Sequence, residues 1–158
     1  MKQSIKEGIG FGLTSAVLTT LGLLIGLSST TQNKTIIIGG ILTIAIADAF
    51  SDGLGVHISQ ESDKKKKERH IWRATFSTFF TKIIIGLTFL IPIIFFSLNM
   101  AIIVSIVYGL VLLSIFSYYI SLFRKESAKK TIFEHLSIAL VVIVATRVIG
   151  LSINHFFG

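Results

Sequence analysis

Cysteine is absent and proline occurs once in 158 residues. Without cysteine there is no disulfide framework, no zinc–thiolate site and no thiol chemistry. Charge is scarce too: Asp, Glu, Lys and Arg make up 15% of the chain, against about 25% in soluble domains. The mean hydropathy of +0.81 is too positive for a solvated surface. These deficits argue against a soluble enzyme, a disordered tail and a secreted disulfide scaffold. Catalytic signatures are missing as well. There is no Walker loop, no G-x-S-x-G elbow, no H-E-x-x-H and no dinucleotide fingerprint. Gly8-Ile9-Gly10-Phe11-Gly12 opens an apolar run and does not follow a strand, so it is no nucleotide loop. The chain is expected to be no enzyme and to hold no resident cofactor.

What is present is long apolar runs. Five extend from about Gly8 to Leu27, Thr35 to Ser59, Phe76 to Leu98, Ala101 to Phe123 and Ile132 to Phe157, with a minimal turn at Asn99. Each suffices to cross a bilayer at ~1.5 Å per residue. The runs are continuous, unlike the weak alternation of a porin-type barrel, so they predict helices. The expectation is an all-α polytopic membrane protein, one transmembrane domain over residues 1–158. No Ala-x-Ala site follows Met1 to Glu7, so the first run reads as a retained span.

The 15 basic residues report orientation. Lys2 and Lys6 precede the first span. Lys64, Lys65, Lys66, Lys67, Arg69 and Arg73 lie between spans two and three. Arg124, Lys125, Lys129 and Lys130 lie between spans four and five. Lys34 alone falls on the other side, and Lys82 and Arg147 fall inside spans. The N-terminus and both basic loops are therefore expected in the cytoplasm and the C-terminus outside. This accounts for the net charge of +7 without nucleic acid as a partner. The Lys64 to Lys67 run also suits anionic lipid headgroups.

Eight acids are present, and two stand where lipid disfavours them. Asp48 and Asp52, four apart in the second run, project from one helix face. Asp48 lies near mid-membrane, where an ionised acid costs about 2.5–3.5 kcal/mol. Two acids so close do not both stay ionised without a cation. Hard carboxylate oxygens suit divalent ions such as Fe²⁺, Mn²⁺, Mg²⁺ or Ca²⁺. Arg147, near the middle of the last span, and Lys82, toward the cytoplasmic end of the third, are the candidate charge partners for a purely structural pairing.

The first run carries a stripe of small residues: Gly8, Gly12, Ser15, Thr19, Gly22 and Gly26. Its two G-x-x-x-G pairs fit a packing or dimer face, and the Ser15 and Thr19 hydroxyls are candidates to complete a metal shell. His57, Glu61 and Asp63 are candidates for a cytoplasmic mouth. Pro92 is expected to kink the third span. Trp72 and His155 read as boundary residues.

Three passages resemble the vacuolar iron transporter family. Gly12-Leu13-Thr14-Ser15 through Gly26-Leu27 is similar to its first helix. Ala49 to Ile58, followed by Glu61-Ser62-Asp63, is similar to its second-helix motif. Gly86 with Pro92 resembles its third. The resemblance implies a five-helix subunit, a homodimer with the ion path between the first helices, and divalent iron or manganese leaving the cytosol in exchange for protons. Departures fall on the implied ligands. Ser15 stands at the family's first-helix Asp, Asp52 at its second-helix Met and Ile44 at its second-helix Glu, and the cytoplasmic metal-binding insert is missing.

The expected function is thus a homodimeric, proton-coupled divalent cation transporter in a prokaryotic plasma membrane, its partners a second copy and lipid. Asp48 and Asp52 are its central acids, Ser15 and Thr19 line the facing helix, and the ion is cargo. The alternative is a non-transporting structural or regulatory membrane protein whose acids are paired to Arg147.

Overall fold

The computed structural model describes residues 2–158. Their regular elements are all α-helical: α1 (Lys2–Thr30), α2 (Lys34–Glu61), α3 (Glu68–Thr88), a short α4 (Leu90–Phe95), α5 (Leu98–Arg124) and α6 (Ala128–Phe157). α3 and α4 form one crossing, so five segments are long and apolar enough to span a membrane. The chain is an integral membrane protein of the all-α class.

The helices overrun the apolar runs because caps end a helix, and the edge of the hydrocarbon does not. The Asn33 side chain accepts from the Thr35 and Ile36 amides and so starts α2. The third crossing begins at Glu68, well before the expected Phe76. Its end also differs from expectation. The turn falls at Phe96 and Ser97, and Asn99 sits in the first turn of α5. Lys34 reaches across to donate to the Phe96 carbonyl, which no helix satisfies.

Pro92 interrupts the third crossing as expected. It has no N–H for the Thr88 carbonyl four residues back, and its ring crowds that carbonyl. The helix breaks at Phe89, whose amide turns to the Gly86 carbonyl at 3.2 Å. Tyr108 on α5 braces the break by donating to Thr88 Oγ1 at 2.9 Å.

α1 is the hub. It packs most extensively on α3 and α6, and also meets α2 and α5. Val17, Leu21, Phe89, Leu113 and Ala139 form one buried cluster along it, and Leu24, Ile37, Ile41, Ile93, Leu98 and Ala101 form another. Close approach is set by glycine. A Cβ at Gly8 would stand 2.4 Å from the Ala74 carbonyl, and one at Gly12 2.7 Å from that of Thr78. Gly22 and Gly26 face Thr146 of α6. Both G-x-x-x-G pairs are therefore used for packing within the protomer.

Candidate functional site

Hydroxyls within the spans mostly bond their own helix. Thr14, Thr19, Thr75, Thr78, Ser114 and Thr146 each donate to the carbonyl four residues back, which satisfies them in lipid. Ser15 is different. Its Oγ donates across to Asp52 Oδ2 at 2.6 Å. It accepts in turn from Lys82 Nζ at 2.7 Å.

Lys82 is the centre of the arrangement. It is 1% exposed and donates to Asp52 Oδ2. Asp48 Oδ2 lies 2.6 Å from the same ammonium, but at an angle that makes no hydrogen bond, so this oxygen is buried without a donor. The Asp48 contact is an ion pair without hydrogen-bond geometry. The Asp48 and Asp52 side chains remain 22% and 20% exposed, while that of Lys82 is 2% exposed. The cluster is thus closed on the lysine side and open on the carboxylate side.

Helix registers produce this convergence. Ser15, Asp48 and Lys82 each fall close to the midpoint of their own crossing, Gln3–Thr30, Lys34–Glu61 and Glu68–Phe95. Lys82 was expected toward the cytoplasmic end. It lies at mid-depth because α3 starts at Glu68. It shares a buried row with Ile71, Ala74, Thr78 and Gly86, a row slim enough for α1 and α2 to approach.

Arg147 does not pair with either acid. It is exposed on α6 and lines a cavity of about 330 Å³ with Gln32, Asn99 and Asn154. Among the described residues no carboxylate lies within ion-pair distance of it. Of the two expected charge partners, Lys82 alone takes the role.

The expected cytoplasmic mouth is not assembled. His57 Nδ1 sits 3.1 Å from Thr75 Oγ1, and its ring packs edge-on against Trp72. Glu61 and Asp63 are exposed, and Asp63 caps the following turn through the Lys65 amide. Among the described residues no three His, Asp or Glu side chains are grouped to hold a metal. A different acid occupies that end. Glu7 accepts from Gln3 and Gln60 and lies 3.4 Å from His70 Nε2. The signal for it was its spacing: Glu7, Phe11 and Ser15 follow one another at four-residue steps on one face of α1.

The acids lie between two cavities. On one side, Glu7, Phe11, Val56 and Gln60 line a space of about 250 Å³. On the other, Leu18, Thr19, Gly22 and Ile44 line a groove of about 420 Å³. The row Gln60, Val56, Asp52, Asp48, Ile44 on α2 runs antiparallel to Glu7, Phe11, Ser15, Thr19, Gly22 on α1. Thr19 lines the space next to the acids, and its hydroxyl donates to the Ser15 carbonyl and not to either carboxylate.

Comparison with curated proteins found no match. A family model, that of the VIT family, matches residues 61–151, more than half of the 158 residues. The matched part begins at the last residue of α2 and takes in Lys82, Pro92 and Arg147; Ser15, Asp48 and Asp52 lie before it. With five spanning helices and a match of that extent, the chain belongs to the VIT family, the vacuolar iron transporters.

Proposed function

We propose that this protein is a homodimeric, proton-coupled carrier of divalent cations of the Fe²⁺/Mn²⁺ type, moving them out of the cytosol. Family membership points to divalent metal transport in general. The observation that carries the finer reading is the half-open pair Asp48 and Asp52 at mid-span, holding a cation that is part of the protein. Two carboxylates and one ammonium leave one uncompensated negative charge per protomer. Two protomers facing across a twofold axis supply the charge that balances one divalent ion. Mn²⁺ and Fe²⁺ accept such oxygen donors, as do Mg²⁺ and Ca²⁺.

A second copy fits beside α2. Gly39, Thr43, Ala47, Ser51, Gly55 and Ser59 form an exposed row of small and polar residues next to the row of the acids. A Cβ at Gly39 or Gly55 would meet nothing within 4 Å, so packing in the protomer gives no reason for glycine there. Close helix–helix contact in a membrane does. In this reading Glu7 and Gln60 admit the ion, the acids hold it, and protonation of the acids releases it on the far side. The excess of Lys and Arg in the loops on the N-terminal side supports a cytoplasmic N-terminus and a C-terminus on the opposite side.

The same lysine favours a second reading. An ammonium held by both acids suits a non-transporting structural or regulatory protein, with Lys82 in the place earlier considered for Arg147. Flux into proteoliposomes separates the two. For the carrier, pH-dependent Mn²⁺ uptake is abolished in Asp48→Asn and in Asp52→Asn. Undiminished uptake in both variants sinks the site assignment, and no uptake by the folded wild type favours the structural reading.

A further inference from the structure

The two basic loops are built differently. Between α5 and α6 two of the four cations have acid partners: Arg124 pairs with Glu126 at 2.9 Å, and Lys130 approaches Glu134 at 3.9 Å. Between α2 and α3 they converge. Lys65, Lys66, Lys67, Arg69, His70 and Arg73 line one concavity of about 320 Å³ against the start of α1, with no carboxylate in the lining. Orientation in the membrane accounts for the number of basic residues in a loop, but not for their closing around a cavity.

Local structure explains the convergence. Asp63 turns the chain by accepting the Lys65 amide on its side chain and the Lys66 amide on its carbonyl. Lys67 then stands extended as the N-cap of α3. Arg69 and Arg73, four apart, share a helix face. Two of the six groups have partners, Lys66 with Gln60 and His70 with Glu7. Among the described residues Lys65, Lys67, Arg69 and Arg73 have no carboxylate within ion-pair distance. Four such cations around one space repel one another unless an anion joins them. The first turn of α3 has no side-chain cap, and its one acid, Glu68, lies outside the lining of the cavity; the positive end of this 21-residue helix lies in the same region.

We infer that this cavity is a binding site for a phosphate group, carried by an anionic lipid headgroup or free as inorganic phosphate. Arg69 and Arg73 supply forked donors suited to its oxygens. The lysines supply charge. The site is separate from the acids at mid-span and stands whether or not the protein carries metal.

The test uses the full chain in neutral detergent micelles, with two probes measured separately by calorimetry: inorganic phosphate, and phosphatidic acid doped into the micelles. The variant K67Q/R69Q/R73Q removes three of the lining charges. K129Q/K130Q removes two from the other basic loop. The expected result is saturable binding of at least one probe, weakened about a hundredfold in the first variant, at roughly fivefold per basic group, and less than about threefold in the second. Binding of phosphatidic acid alone assigns the lipid as the source, and binding of inorganic phosphate assigns the free anion. If the triple variant does not assemble, R69Q, exposed on α3, serves with an expected weakening of about fivefold. Absence of saturable binding of either probe, or equal weakening in both loops, overturns the inference.

Discussion

Lys82 and Arg147 both carry charge inside membrane-spanning helices, and the protein keeps them in opposite ways. Lys82 is buried at mid-span against two carboxylates and a hydroxyl. Arg147 is exposed on α6 and lines a polar cavity beside Gln32, Asn99 and Asn154. Lys82 is held by neutralisation. Arg147 is held by its reach toward polar space, as long basic side chains in lipid often are. The difference has consequences for mutation. A charge kept by pairing cannot lose its partners without leaving a buried ion, whereas one kept by reach has no partner to lose.

The sharpest way to break that contrast is to remove both partners of Lys82. Asp48→Asn with Asp52→Asn strands the ammonium and is expected to destabilise the fold by about 3–5 kcal/mol, read as loss of the folded peak in thermal melts monitored by size exclusion. Adding Lys82→Met removes the stranded charge, and the triple variant is expected to regain most of that stability without regaining flux. Ser15→Ala comes next. It deletes hydrogen bonds to a carboxylate and an ammonium and is expected to cost about 2 kcal/mol in the same assay. Gly55→Leu leaves the protomer intact, because nothing stands within 4 Å of its Cβ position, but is expected to weaken the proposed dimer by about tenfold or more, measured by sedimentation. Arg147→Gln is the smallest: its melting is expected to stay within about 0.5 kcal/mol of the wild type. A loss near that of the acid double variant would show that Arg147 has a partner after all.

The five crossings were legible in hydropathy alone, because apolar runs of this length have few other uses. The pairing of Asp48 with Asp52 on one face was legible from their spacing of four. The identity of their cation was not. Sequence placed Lys82 and Arg147 within spans, but choosing between them needs the azimuth of each helix and the true start of α3. Glu68 begins that helix, and the shift moves Lys82 to the depth of the acids. One hint was present: Ala74, Thr78 and Gly86 mark the row of Lys82 as a helix contact face. The G-x-x-x-G pairs of α1 were legible as close contacts, but their partner was not, since intrachain and interchain packing use the same small residues. His57, Glu61 and Asp63 do not converge, because proximity in sequence at a helix end does not turn side chains toward one point. His57 turns to α3, and the acid at that end is Glu7 on α1.

The family match covers the scaffold from residue 61 onward, while the two acids and Ser15 lie before it. The chemistry of the site therefore rests on the geometry, and Lys82 is the residue that joins the two parts. Mn²⁺ binding by calorimetry to the wild type and to Lys82→Met at neutral pH decides whether Lys82 stands in the ion site. If Lys82 is a tethered cation standing in the ion site, its removal leaves both carboxylates to the metal and Mn²⁺ binds at least about tenfold tighter. A folded Lys82→Met protein that binds Mn²⁺ no better than the wild type rules out that role for Lys82.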